Sequence, residues 1–152
     1  MAEFTYNAVQ EIAASGAAIF NTTIGCNRGY VLHRPESALI TLRGIVNNPC
    51  ARFARYRVTF NGNIAVPTGG TAGAISVALA INGEAINTSN AIVTPAAVDE
   101  YFNVTSTAFI DVPVGCCVSI SVKNTSTSDD PATTPAPTIN MQNANLVVTR
   151  EA

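Results

Sequence analysis

Charge is scarce in this sequence. Only 12% of its 152 residues are Asp, Glu, Lys or Arg, against about 25% in ordinary soluble domains. Lys and Arg number 8 and Asp and Glu 10, a formal net charge of -2. A nucleic-acid binder needs a dense basic face, and anionic membranes draw in polybasic segments. Neither feature is present, so no nucleic-acid or membrane partner is expected. No apolar run approaches the roughly 18–20 residues of a membrane-spanning helix. No Lys or Arg precedes an apolar run in Met1-Ala2-Glu3-Phe4-Thr5-Tyr6, so no signal peptide is read there and synthesis in a cytoplasm is expected.

Residues that carry chemistry are as sparse as charge. His33 is the one histidine, so a Ser-His-Asp or Cys-His relay would have to use it. It stands beside Arg34 and Pro35 with no nucleophile motif nearby, and reads as a structural or surface residue. Neighbouring strand residues point to opposite faces, which makes Asp99-Glu100 a poor pair for glycoside hydrolysis. Asp129-Asp130 lies in a loop-like segment. Gly69-Gly70 has no following Lys-Ser/Thr and is not a phosphate-binding loop. Cys26, Cys50, Cys116 and Cys117 lack the Cys-x-x-Cys clip of common zinc sites. They read either as buried thiols or as a disulfide that brings Cys26 or Cys50 to the Cys116-Cys117 strand. No metal, no cofactor and no enzymatic activity is expected. Arg52, Arg55 and Arg57 form the one basic cluster. Arg55 and Arg57 share a strand face, which reads as solvated. The Asn-x-Ser/Thr triplets at Asn21, Asn87, Asn103 and Asn124 are, without a secretory route, by-products of an Asn/Thr-rich composition.

What the chain has in abundance is alternation of period two, the mark of half-buried strands. Tyr56, Val58 and Phe60 alternate with Arg55, Arg57, Thr59 and Asn61. Ile75, Val77, Leu79 and Ile81 alternate with small Ser76, Ala78 and Ala80. The pattern returns at Phe102, Val104, Ala108 and Ile110, at Val118, Ile120 and Val122, and at Leu146 and Val148. Asn82-Gly83 favours the positive φ angles of a type I′ hairpin, and Asn61-Gly62 is a second turn or bulge candidate. Pro67–Gly73 reads as a loop, Val112-Pro113-Val114-Gly115 as a tight connection, and Ser126–Pro137 as an exposed loop that cannot pack a core. Eight to ten strands in one domain predict an all-β antiparallel sandwich. Its body spans residues 17–152, and residues 1–16 form an N-terminal arm whose conformation, helical or extended, is open.

Ala78, Ala80, Ala91, Ala96 and Ala97 stand where charges would protect an outer sheet surface. A sheet buried on both faces reads this way, and low charge leaves a lone monomer poorly protected against association. The second cover is therefore expected from further copies of the chain.

Several segments in their order resemble one family. They are Tyr30-Val31-Leu32-His33, Ala38-Leu39-Ile40-Thr41-Leu42-Arg43-Gly44, Ala54–Phe60, the Ser76–Gly83 hairpin, Val112–Val122 and the closing Ala144–Val148. Together they resemble the compact jelly roll of C1q and tumour-necrosis-factor-like proteins, and more closely its bacterial and phage versions. The chain departs from that family in having no collagen-like stalk and in the Cys116-Cys117 pair at the penultimate strand. The resemblance implies a homotrimer, with Tyr30, Tyr56, Tyr101 and Phe102 as interface candidates. It leads to the expectation of a structural protein decorating a phage capsid at the virion surface. Phe4, Tyr6 and Ile12 of the arm would contact the major capsid protein or another virion protein. A receptor- or carbohydrate-binding module acting on a host surface glycan, or a bacterial surface or spore-coat adhesin, is the alternative.

Overall fold

The computed structural model describes residues 1–25 and 29–151. Its strands in chain order are β1 (Ala2–Tyr6), β2 (Gln10–Ile12), β3 (Thr22–Ile24), β4 (Val31–His33), β5 (Ile40–Arg43), β6 (Phe53–Ala65), β7 (Ile75–Ile81), β8 (Glu84–Ala85), β9 (Ala91–Val93), β10 (Phe102–Pro113), β11 (Cys117–Asn124) and β12 (Ile139–Arg150). They form two antiparallel sheets. Sheet I runs β10-β6-β12-β1-β3, with β2 also paired to β12; sheet II runs β4-β5-β11-β7-β8, with β9 also on β7. Among the described residues the strands number twelve rather than eight to ten, because five of them have three residues or fewer.

Alternation builds the core. Ala54, Tyr56, Val58, Phe60 and Ile64 of β6 are buried, as are Val104, Ile110 and Val112 of β10 and Leu146 and Val148 of β12. They meet Ile40, Leu42, Ile75, Val77, Leu79, Ile120 and Val122 from sheet II in one cluster. Removing such area from water is the main drive to fold. The Asn82-Gly83 hairpin is as expected, with φ of 50° and 87° at its two central residues.

Three expectations are corrected. Asn61-Gly62 is no turn: it lies inside β6, and the irregularity is on the partner strand, where the β12 register shifts between Gln142 and Asn145, opposite Asn63 and Asn61. Gly62 is there because a Cβ would come within 2.8 Å of the Phe60 ring.

Residues 1–16 are not an arm. Their β1 sits between β12 and β3, registered from Ala2 opposite Val148 to Tyr6 opposite Ala144. The chain then crosses to sheet II, where the Ser15 amide donates to the Asn124 carbonyl and the Ala18 amide to that of Val122. Phe4 and Ile12 are core residues at 0% and 4% exposure, so neither is free to clamp a capsid; Tyr6 is half-buried against the core. A five-residue strand is too short to show its period.

Ala78 and Ala80, finally, are buried by their own chain. They pair with Lys123 and Ser121 of β11. The Lys123 ammonium donates to the Gly83 carbonyl at 3.0 Å, so its stem crosses this patch toward the hairpin. The chain itself covers these two, whereas Ala91 is half-buried and Ala96 and Ala97 stand exposed.

Candidate functional site

The outward face of sheet I is broad and open; on sheet II the outward Leu32 and Ile92 are exposed as well. Reading across one row, Thr107 of β10 faces Thr59 of β6, Thr59 faces Val147 of β12, Val147 faces Glu3 of β1, and Glu3 faces Ile24 of β3. The Thr59 and Thr107 hydroxyls are hydrogen-bonded at 3.1 Å. Toward one end the row gives way to asparagines, with the Asn103 side-chain amide donating to Asn61 and Asn63. Toward the other end come the charges. Arg55 grips Asp111 with two hydrogen bonds of 2.7 and 2.8 Å and lies over the Phe53 ring. Arg57 pairs with Glu151 at 3.1 Å. The Arg55 hydrogen bond holds the Asp111 carboxyl below the usual carboxylate range, and Asp111 in turn raises the guanidinium. The Arg55–Arg57 face is thus solvated as expected, but internally neutralised. Phe109, 63% exposed on edge strand β10, and Ile24, 51% exposed on β3 at the opposite edge, frame the face.

Two clusters of loops close the ends of the sandwich. At one pole, loops 66–74 and 125–138 with Asn90 and Ile92 enclose a hollow of about 870 Å³. Its walls mix Thr, Ser, Gly, Ala and Pro with Asn90, Ile92 and the carboxylates of Glu11, Asp129 and Asp130. The loop 126–137 has no regular structure, as expected, although Ser126 is buried and accepts from the Ser76 amide. At the other pole, loop 44–52 and Arg150 outline a smaller hollow of about 520 Å³ floored by Tyr30, whose ring lies 4.1 Å beneath the Arg150 guanidinium.

The proposed interface aromatics do not gather on one face. Tyr56 is fully buried; its hydroxyl donates to the Arg43 carbonyl at 2.6 Å, and burial pushes its pKa up. It is a core residue, because its alternation is the inward one. Tyr30 and Tyr101 are half-buried and sit at opposite poles, while Phe102 opens β10 at 39% exposure. Cys50, Cys116 and Cys117 are free and exposed, which corrects the expectation of buried thiols: all three occupy turns or a strand start at one pole, outside the alternating core. Cys26 lies outside the described residues.

His33 ties strands together. Its Nε2 lies 3.1 Å from the Ser37 carbonyl and its Nδ1 3.3 Å from the Thr23 hydroxyl. Glu100 accepts from the Ala96 and Ala97 amides, Asp99 accepts from Thr68, and Asp130 from the Thr133 hydroxyl. These carboxylates brace their loops. Among the described residues no group of three or more His, Cys, Asp or Glu is placed to hold a metal ion, and no helix is long and apolar enough to cross a membrane. Sequence reasoning missed Phe109, whose outward position follows only once the register of β10 is known. It also missed Asn124, a buried amide that donates to the carbonyls of Ile12 and Pro137 at 3.0 Å each.

No family model matches the chain, and no curated protein matches it. Solved structures do. The globular domain of zebrafish complement 1qA superposes with a TM-score of 0.51 at 7% identity, covering 99% of this chain and 97% of that one. The sugar-binding C-terminal domain of EclA gives 0.37 at 14% identity, over 78% and 81% of the two chains. The xylan-binding CBM22-1 domain of Paenibacillus barcinonensis Xyn10C gives 0.36 at 7% identity, over 99% and 87%. Superposition as loose as the last two establishes no common fold. The chain is an all-β antiparallel sandwich with the jelly-roll fold of the C1q globular domain.

Proposed function

We propose that this chain is a non-enzymatic assembly module, a homotrimer that decorates a virion surface after synthesis in the host cytoplasm. The observation that carries the reading is the open face of sheet I. Its central row is Thr107, Thr59, Val147 and Glu3, with Asn61 and Asn103 to one side, and the charges at its far end are paired within the chain. Burying such a face against a second copy desolvates charges already paired at its end, and at its centre the Glu3 carboxylate, which keeps its hydrogen bond from the Asn145 side-chain amide. The apolar anchors Phe109 and Ile24 sit on opposite edges. A contact joining one copy's β10 edge to the next copy's β3 edge is head-to-tail, and a rotation of a third of a turn at each such contact closes a ring of three. Because residues 1–16 belong to the sheets, attachment to the major capsid protein falls to the polar loops, foremost 126–137.

Light scattering on the purified protein tests the assembly. Three copies of 15.8 kDa are expected, and Phe109→Lys is expected to give monomers of unchanged fold. A wild-type monomer at micromolar concentration overturns the reading. Quantitative mass spectrometry of purified particles tests the location, with hundreds of copies per particle expected and a handful pointing to a tail instead.

A second reading is favoured by the larger hollow. Thr68, Thr71, Asn90 and Ser128 line it with hydrogen-bonding groups beside the carboxylates of Glu11, Asp129 and Asp130, acceptors that suit the hydroxyls of a neutral glycan. Saturable binding of a host surface glycan, lost when loop 126–137 is shortened, would favour it over decoration alone.

A further inference from the structure

The few charges of this chain are sorted by pole. β5 ends at Arg43, β6 begins just after Arg52, and β12 ends at Arg150. Pairing brings these ends together: Arg150 stands opposite Tyr56, whose hydroxyl donates to the Arg43 carbonyl. Arg55 and Arg57 follow on β6. Among the described residues this pole holds these five arginines against two carboxylates, Asp111 and Glu151. The opposite pole is acidic. Glu11, Asp129 and Asp130 line the larger hollow, and among the described residues no Lys or Arg does. Asp99, beside Glu100, accepts from Thr68, which also lines it. The 13 residues of β6 span about 40 Å at roughly 3.3 Å each, several Debye lengths at physiological salt. Neither field cancels the other.

The smaller hollow, about 520 Å³, therefore lies in a positive field, and its volume suits a single sugar ring. Arg150 is fixed in its wall. The guanidinium lies 4.1 Å from the Tyr30 ring centroid and donates to the Ile45 carbonyl, so the planar cation is set in place before a ligand arrives. Phe53, 41% exposed, gives an apolar wall, and Asn47 and Asn48 add side-chain amides. The Asn48 side-chain oxygen accepts from the Cys50 amide at 2.9 Å, which fixes the group and leaves its NH2 to donate elsewhere. Glu151 also lines the hollow, but Arg57 neutralises it at 3.1 Å.

We propose that the smaller hollow binds a hexuronate, the carboxylate-bearing ring of an acidic glycan. The carboxylate is drawn to the Arg150 guanidinium. The ring hydroxyls exchange hydrogen bonds with the Asn47 and Asn48 amides, which offer both donor and acceptor, and the C–H face lies against Phe53. A simple carboxylic acid uses the cation and leaves the amides to water. A neutral sugar uses the amides and leaves the cation. The hexuronate uses all three. This site is separate from the larger hollow, and it stands whether or not that hollow takes a neutral glycan and whether or not the chain trimerises.

The test is to titrate the isotope-labelled protein with sodium glucuronate, and in parallel with glucose and with benzoate, and to follow the backbone amide chemical shifts. Saturable shifts at Asn47, Asn48 and Ala51 are expected, with glucuronate binding about tenfold tighter than either control. Arg150→Gln is expected to weaken glucuronate about tenfold and to leave glucose unchanged. Because Arg150 also braces Ile45, Asn47→Ala serves as a second variant. The Asn47 side chain has no hydrogen bond within the chain to lose, so its loss is expected to weaken glucuronate about threefold at an unchanged melting temperature. The proposal is overturned by an absence of saturable shifts, by shifts centred instead on Thr68, Thr71 and Asn90, by glucose or benzoate binding as tightly as glucuronate, or by undiminished affinity in either variant.

Discussion

The two sheets present small, uncharged residues to the outside in different ways. On sheet II, Ser76, Ala78 and Ala80 of β7 are closed over within the chain, at 6% exposure or less. On sheet I, Thr59, Thr107, Asn61 and Asn103 stand open or half-open. In the sequence both look alike, as neutral residues where charges usually stand. Alanine with neighbours on two strands needs little more than a lysine stem to be buried, whereas threonine and asparagine carry polar groups that stay wet unless a partner satisfies them. The proposed self-association therefore draws on sheet I.

The sharpest way to break this contrast is Ala80→Glu. Forcing a carboxylate into a closed patch is expected to cost about 3 kcal/mol or more, read as a lowered urea midpoint. A cost below about 1 kcal/mol would mean that the patch is open and the contrast false. Next comes Asn124→Ala. It frees the Ile12 and Pro137 carbonyls and removes the acceptor of the Ser126 amide. Leaving buried groups without partners is expected to cost about 2–3 kcal/mol, with earliest amide exchange in residues 10–18. On the open sheet, Thr59→Lys is expected to change stability by no more than about 0.5 kcal/mol while weakening self-association at least tenfold in sedimentation. Equal loss of stability in Ala80→Glu and Thr59→Lys would erase the difference between the faces.

How much of this was legible in the sequence follows from what alternation encodes. Period two over Arg55–Asn61 or Asn145–Thr149 names the inward face of a long strand, and both central residues of Asn82-Gly83 take the positive φ they advertise. Alternation says nothing about which strands are neighbours. The place of β1 between β12 and β3, the gathering of Arg52 and Arg150 at one pole, and the outward position of Phe109 all depend on pairing across the chain. Tyr56 shows the limit from the other side: its parity marked it as inward, and the structure places it in the core rather than at an interface. Short strands such as β2 and β4 fit no more than two inward residues, too few to establish a period.

The charged end of sheet I supplies the smallest expected effect. Asp111 titrates below the ordinary carboxylate range because Arg55 hydrogen-bonds its ionised form. A carboxylate whose folded pKa is depressed stabilises the fold above its unfolded pKa, near 4, and loses that contribution as pH falls through the lower folded value. Asp111 and Arg55 are both exposed, so water and salt screen the pair and the contribution is slight. Asp111→Asn is therefore expected to lower the urea midpoint marginally at pH 6 and not at all near pH 2, and less at 1 M salt than at 0.05 M. A large loss at pH 6 that salt does not reduce would show that this end of the sheet is enclosed rather than open, and would place the boundary of the covered surface at the ion pair.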